Sequence, residues 1–476
     1  MKKILSLIII VLVSLSAFAG KGNVSIKGTI TNPLADSITI QYISYEENWL
    51  DFKSNTVNAR LDKDGRFLAT FPVSHAYTGI QLQNGEQATE LFVSPGDKLN
   101  MTVNAADFDA TIEYEGIGTK ADVANFSAKH MLASGFSQDF QVAAQKLIAK
   151  EPDDFLAELD KLVAKEHDFL VENSKGLPQS FIEFWDASYT YNKYVSMLMY
   201  AQMHEIIKAK SYEIGDIPAE NFEVTKQVPE KFNDDLLYLD AYRNYIREFY
   251  IYKLMAEGVK LKQDEPDFMV DKMVELSRKN MPLKSEQYVY ATAINRYMKN
   301  TPIVRTEAKF NEFNNLYGNT EYTKFLEKEI ENKRRLSPGS PAIDFIVVDA
   351  DGKDVKLSQL KGKVVYLDFW ASWCGPCKSQ FPHTKKVKEH FAGKDVTFVY
   401  VSIDEDATAW EKAMKQYELS GLHTRVPGWS DKLAKSYGVA SIPAYFLIDK
   451  EGNFAIDNTP RPSQTEELIK AIEALL

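Results

Sequence analysis

The chain has 476 residues and only two cysteines, three positions apart, at Cys374 and Cys377. A disulfide framework of the kind that holds small secreted domains together is therefore excluded. A closed zinc site needs about four ligands, and no second cysteine pair exists to supply them. A bridge across two intervening residues is also a weak staple, because loop closure restrains the unfolded chain more when the loop is long. No Gly-rich phosphate loop, clear metal-ligand cluster or basic patch interleaved with aromatics is present. The formal charge is −11, which argues against nucleic acid or an anionic membrane surface as partner. The one long apolar run is Ile4 to Leu15, well short of the ~20 residues a membrane span needs. What is present is ordinary for folded domains, with 45% hydrophobic and 26% charged residues. The length is enough for about three domains.

Met1 to Ala19 reads as a cleaved secretory signal. Lys2 and Lys3 form its basic end, Ile4 to Leu15 its apolar run and Ala17-Phe-Ala19 its small-residue cleavage site. Losing Lys2 and Lys3 would take the formal charge from −11 to −13. No cysteine follows the run, so lipid anchoring at an N-terminal cysteine is not expected. Export to the periplasm matters chemically, because disulfides persist outside the cytosol and give a cysteine pair something to act on.

Residues 20–117 are expected to form an antiparallel β-sandwich. Val24-Ser-Ile-Lys-Gly28, Ser37-Ile-Thr-Ile-Gln-Tyr42 and Lys98-Leu-Asn-Met-Thr-Val103 alternate apolar and polar, and Asp62–Gly65 and Ser94–Asp97 are turn signals. Residues 118–335 are expected to be all-α. Phe155, Leu159, Leu162, Val163, Phe169 and Leu170 make a helical stripe, as do Leu239, Tyr242, Ile246, Phe249 and Tyr250. The Tyr- and Met-rich run from Tyr189 to Tyr200 could be an adaptable groove for a protein partner, but an ordinary helical core is the better reading.

Leu336-Ser-Pro-Gly-Ser-Pro341 reads as a linker to a last domain, 336–476. There Phe345-Ile-Val-Val348 and Val355-Lys-Leu357 should pair across Asp351-Gly352. Strands at Val364–Phe369, Thr397–Ser402 and Ala444–Ile448 alternate with helices near 375–391 and 407–418, and Ser463-Gln-Thr-Glu466 has the form of a capping box. This alternation predicts a mainly parallel central sheet with helices on both faces.

The centre of the last domain is Val364-Val-Tyr-Leu-Asp-Phe-Trp-Ala-Ser-Trp-Cys-Gly-Pro-Cys377. Its first half is apolar apart from Asp368, as a strand buried on both faces would be. Its second half opens a helix whose Phe381, Val387, His390 and Phe391 fall near one face. A Cys-x-x-Cys at a strand-to-helix turn is a redox motif. The helix N-terminus offers partial positive charge and free N–H groups, which favour thiolate at Cys374. Cys374 is the expected nucleophile and Cys377 the resolving thiol. Pro376 suits an early helical position, where its missing N–H costs nothing, and Trp373 should cover the sulfurs. His383 and His390 read as helix-surface residues.

Residues 338–476 resemble the thioredoxin superfamily, and within it the exported TlpA/ResA-like thiol-disulfide oxidoreductases. The resemblance rests on Gly339-Ser-Pro-Ala-Ile-Asp-Phe345, Leu357-Ser-Gln-Leu-Lys-Gly-Lys363, Asp368 to Cys377, Pro382, Val401-Ser-Ile-Asp404, Trp410 and Gly438 to Asp449. It implies a thioredoxin-like α/β domain that needs no cofactor or metal beyond the Cys374/Cys377 pair. Protein disulfides are the implied substrates and a membrane thiol protein the implied electron donor. It makes Asp368 a buried carboxylate that takes the proton of the resolving thiol, and Pro443 the cis-proline facing the cysteines. The Ile442 backbone, with Trp373, Gly375 and Pro376, would then contact substrate. The Gly-Pro pair between the cysteines matches the reducing thioredoxins. ResA-like reductases often carry Glu at the position of Gln380 and Asn at that of Asp368, so the acid–base group here looks thioredoxin-like. Residues 20–117 also resemble the uncharacterised β domain that often precedes such domains in exported bacterial proteins, on Asp64-Gly-Arg-Phe67, Pro95-Gly-Asp97 and Tyr114-Glu-Gly116. The alternative function is a binding or chaperone-like protein that uses the thioredoxin fold as a scaffold. A peroxidase is disfavoured, because Ser372-Trp-Cys374 does not supply the Thr-x-x-Cys setting of a peroxidatic cysteine.

Overall fold

The computed structural model describes residues 22–46, 48–116, 120–134, 145–209, 216–259, 266–299, 301–348, 353–419, 421–429, 431–439 and 441–476. The expected signal Met1–Ala19 and the expected turn Asp351-Gly352 lie outside the described residues. The chain divides into two compact units, Met1–Thr292 and Ala293–Leu476. Among the described residues no helix is long and apolar enough to cross a membrane.

The first unit opens with strands β1 (Gly22–Thr31), β2 (Ser37–Tyr45), β3 (Phe52–Arg60), β4 (Arg66–Val73), β5 (Thr78–Asn84), β6 (Gln87–Val93), β7 (Lys98–Asn104) and β8 (Glu113–Gly116). They form two four-stranded sheets, ordered β4-β1-β7-β8 and β3-β2-β5-β6. The period-two alternation is visible in β4, where Phe67, Ala69, Phe71 and Val73 are buried and the residues between them are exposed. Ile26 and Met101 of one sheet share an apolar core with Ile40, Leu82 and Leu91 of the other. Every neighbouring pair is antiparallel except β1 and β7, which run parallel with Ile26 opposite Leu99. A parallel pair needs a crossover, and here the whole second sheet lies between the two strands in sequence. At the Asp62–Gly65 turn, Asp62 Oδ1 accepts from the N–H groups of Asp64 and Arg66. Gly65 sits at φ +71°, where a Cβ would lie 2.2 Å from the Ile30 carbonyl oxygen, so only glycine fits.

Helices Lys120–Ser134, Pro152–Asn173, Gln179–Ala209, Asp240–Ala256, Pro266–Asn280 and Leu283–Met298 follow. Phe155, Leu159 and Leu170 are buried as their spacing implies, but Leu162 is exposed. All of Leu239, Tyr242, Ile246, Phe249 and Tyr250 are buried. The Tyr/Met-rich run is core at its C-terminal end: Met197, Leu198 and Tyr200 are buried, and the Tyr200 hydroxyl donates to the Lys150 carbonyl at 2.6 Å. Tyr191 packs on Tyr242 and Tyr245 with ring centroids 5.0 and 5.1 Å apart. These rings are used up in holding helices together, which favours the core reading over an open groove.

The second unit contains helices Ile303–Tyr317 and Glu321–Arg335, the latter closed at its start by a Thr320/Thr323 capping box. Both helices and residues 336–476 lie within the unit Ala293–Leu476. The Leu336–Pro341 stretch is not slack. Gly339 N–H donates to the Phe454 carbonyl, Phe454 N–H to the Ser340 carbonyl, and the Ser340 hydroxyl to the Arg334 carbonyl. Its prolines and glycine mark a tight turn stitched to the 449–454 loop.

Strands β9 (Ile346–Val348) and β10 (Asp354–Lys356) pair antiparallel. The central sheet has the order β13-β12-β11-β14, from β11 (Val364–Trp370), β12 (Val396–Ser402), β13 (Leu422–Arg425) and β14 (Ala444–Ile448). β11, β12 and β13 are parallel and β14 is antiparallel to β11. Helices Gly375–His390, Ala407–Gln416 and Thr465–Glu473 complete the unit. The Ser463 capping box does not form. Gln464 is the N-cap of the last helix, its Oε1 accepting from the Arg461 N–H, and the Ser463 N–H that the box would give to Glu466 goes to Gln380 Oε1 at 2.9 Å.

Candidate active site

Every residue of β11 is buried, since the strand is sandwiched between β12 and β14 and covered on both faces. Its side chains alternate. Phe369 packs on Tyr437 and Phe446 on one face. Trp370 meets Phe381 of the Gly375–His390 helix on the other, with centroids 5.3 Å apart. Asp368, two residues before Trp370, shares the face covered by that helix.

The strand ends in a turn that delivers the cysteines. Asp404, almost wholly buried, accepts from the Ser372 N–H at 2.8 Å, the Ser372 hydroxyl at 2.6 Å and the Ser402 hydroxyl at 2.7 Å. Three hydrogen bonds to one buried carboxylate are a strong clamp, because breaking them strands a buried charge. Arg425 Nη1 donates to the Asp404 and Glu405 carbonyls, fixing the second loop against the first.

Cys374 is the N-cap of the helix and is bonded to Cys377 as a disulfide, with Cα atoms 5.3 Å apart. The Cys377 N–H donates to Cys374 Sγ at 3.1 Å. This is an orphan N–H of a helix start aimed at sulfur, and it favours negative charge there once the bond is reduced. Cys377 is the deeper of the two, 1% exposed against 4% for Cys374. Gly375 and Pro376 are exposed beside them. Trp373 is 57% exposed and projects into solvent, where a lid over the sulfurs would have been more buried.

Asp368 is 2% exposed, and its Oδ1 has no hydrogen-bond partner among the described residues. It lies between Tyr400 and Tyr445 in the strand register. Burial alone pushes its carboxyl up to about 8, because the charged form loses its hydration. Tyr366, Tyr400 and Tyr445 are raised in turn, first by burial and then by the neighbouring carboxylate.

The Ile442–Pro443 peptide is cis. Ala444 pairs with Phe369, so Ile442 and Pro443 lie at the end of the sheet where the cysteine turn begins. His390 is exposed and bonded to Glu473 at 2.9 Å. Among the described residues no group of His, Cys, Asp and Glu is placed to hold a metal ion.

Two features escaped the sequence reading. Asp404 belonged to a motif that carried the family resemblance but had no role assigned to it. Trp429 is 41% exposed, with its ring 6.2 Å from that of Trp373. It follows β13, a four-residue strand too polar to stand out.

The Redoxin family matches residues 337–472. The thiol-disulfide oxidoreductase ResA of Bacillus cereus is 34% identical over 160 residues, 33% of this chain and 87% of that protein. The chain belongs to the TlpA/ResA-like proteins of the thioredoxin superfamily. ResA of Bacillus subtilis is 39% identical over 121 residues, covering 25% of this chain and 66% of that protein. Among solved structures, the thioredoxin domain of a thiol-disulfide oxidoreductase from Bacteroides vulgatus is 27% identical. It is covered over 97% of its length and 29% of this chain, with a TM-score of 0.27. This TlpA/ResA-like chain is thus a thiol-disulfide oxidoreductase, its redox pair carried on the second compact unit.

Proposed function

We propose that this is an exported, periplasmic oxidoreductase that reduces protein disulfides through Cys374 and Cys377. The observation that carries the reading is the cysteine pair itself, bonded at a helix N-terminus with the Cys377 N–H on Cys374 Sγ. In the reduced state the Cys374 thiolate attacks one sulfur of a substrate disulfide. A mixed disulfide forms and the other substrate sulfur leaves as thiolate. The Cys377 thiol then gives its proton to the Asp368 carboxylate and attacks Cys374 Sγ, releasing the second substrate sulfur. Two electrons have passed to substrate, and the enzyme is left as the disulfide. A thiol protein of the membrane is the proposed donor that restores the dithiol. Trp373, Gly375, Pro376, Ile442 and Pro443 are the proposed substrate-contacting residues, all at one end of the sheet.

The assignment of roles follows from the helix start and from depth. In Cys377→Ala the resolving thiol is gone, so mixed disulfides through Cys374 accumulate and are seen on non-reducing gels and by mass spectrometry. In Cys374→Ala none accumulate. Trapping by Cys374→Ala alone would reverse the roles.

A further inference from the structure

Of the six tryptophans, Trp373 and Trp429 are the two with large exposed surface, and they are neighbours. Exposed tryptophan is unusual, because its apolar area favours burial, and paired rings on a surface mark a contact site. Both rings are held outward. The Trp373 turn is clamped through Ser372 to Asp404. The Trp429 loop is tied by Val426 N–H to the Ser402 carbonyl at 2.8 Å and by Arg425 to the Asp404 and Glu405 carbonyls. Gly428, at φ +78°, has Glu405 Oε1 2.8 Å from where a Cβ would stand. The loop is thus packed against the same acidic segment that anchors the cysteine turn. Exposed Glu405 and Asp406 give this rim negative charge.

We propose that Trp429 is a specificity-determining residue: with Trp373 it forms an aromatic platform for a large apolar side chain flanking the disulfide of a polypeptide substrate. This rests on the thiol-disulfide exchange reading above and names its substrate class. Trp373 is covalently next to the nucleophile, so a side chain seated on the pair belongs to a residue close to the attacked sulfur. The rim beside the platform carries the Glu405 and Asp406 carboxylates, so small acidic disulfides such as oxidised glutathione gain nothing from it. Trp429 acts on docking and takes no part in the exchange of bonds.

The test uses the full chain, reduced by dithiothreitol, and two synthetic disulfide peptides that differ only in Phe or Ser beside the cysteine. The wild type prefers the Phe peptide in kcat/KM by about tenfold, the worth of one good aromatic contact. Trp429→Ala brings that ratio close to one through KM, and Trp429→Phe keeps most of it. The reduction potential of the cysteine pair stays where it was in both variants. A wild-type ratio near one, a ratio unchanged in Trp429→Ala, or an equal loss on both peptides would each overturn the proposal, the last by showing a purely structural role. Reduction of neither peptide by the wild type would remove the exchange reading itself, which no result on the ratio can do.

Discussion

Asp368→Asn slows the second thiol step at neutral pH by about 10²-fold, the lower end of what a positioned base contributes, and leaves the first attack little changed. Single-turnover reduction of insulin, followed against pH, separates the two steps. In the wild type the resolving rate rises with pH through about 8, as the carboxyl loses its proton and becomes a base. In the variant that inflection is gone, and the rate climbs only as Cys377 ionises unaided. A variant with the wild-type pH profile would make Asp368 a structural residue.

The same group governs stability, and the sign follows from which state holds the proton more tightly. The folded carboxyl titrates at about 8 and the unfolded one at the ordinary 3.8. Between those values the folded state binds more protons, so stability is full below pH 4 and is lost as pH rises towards 8. The shift corresponds to a loss on the order of 5 kcal/mol above pH 8. An amide of the same shape carries no charge to desolvate. Asp368→Asn therefore flattens the dependence and is the more stable protein in alkali. Urea midpoints of the oxidised proteins at pH 5 and pH 9 check this, and equal slopes in the two would contradict it.

The second large effect concerns the first compact unit. All the residues of the proposed redox cycle lie in Ala293–Leu476. Met1–Thr292 holds a cleft of about 630 Å³ lined by Tyr45, Trp49, His75, Tyr77, Phe184 and Tyr238. On its floor Gln41, Gln81 and Glu90 stand in register across three strands. Aromatic walls over a polar row suit the recognition of a partner, and a tethered docking site raises the effective concentration of that partner at Cys374. Two chains with Cys377→Ala decide this, residues 301–476 and residues 20–476. The shorter one keeps helices Ile303–Tyr317 and Glu321–Arg335 of the second unit. Both trap insulin at similar rates. The longer one enriches a narrow set of exported proteins, by about 10²-fold for the preferred partners. Equal partner lists would leave the first unit without a role in substrate choice.

How far the sequence could be read depended on whether a feature is local. The β11 strand, the cysteine turn and the cis bond at Pro443 rest on short contiguous segments, and each is where its residues place it. Asp368 could be called buried because its neighbours are apolar on both sides. Its Tyr400 and Tyr445 neighbours needed the strand register. Asp404 was visible as a motif but not as a clamp, because its partners Ser372 and Arg425 lie 32 and 21 residues away. The Trp373–Trp429 pair is likewise a product of topology, since β13 brings the second ring round. The Ser463 capping box failed for a related reason: Gln380, 83 residues earlier, takes the N–H that a local rule assigned elsewhere. Leu336–Pro341 reads locally as a linker, and its bonds to Phe454, more than 110 residues away, are what make it a turn. Trp373 went astray in the other direction, as its exposure depends on a surface no local pattern describes.

The central claim is that Cys374 and Cys377 form a reducing, two-electron pair, and its direct test is their reduction potential. Residues 20–476 are equilibrated in dithiothreitol redox buffers and the free thiols are counted by alkylation and mass spectrometry. The account predicts one two-electron transition near thioredoxin's potential of about −270 mV. A value at or above about −180 mV, where disulfide isomerases lie, would make the pair an oxidant and contradict it.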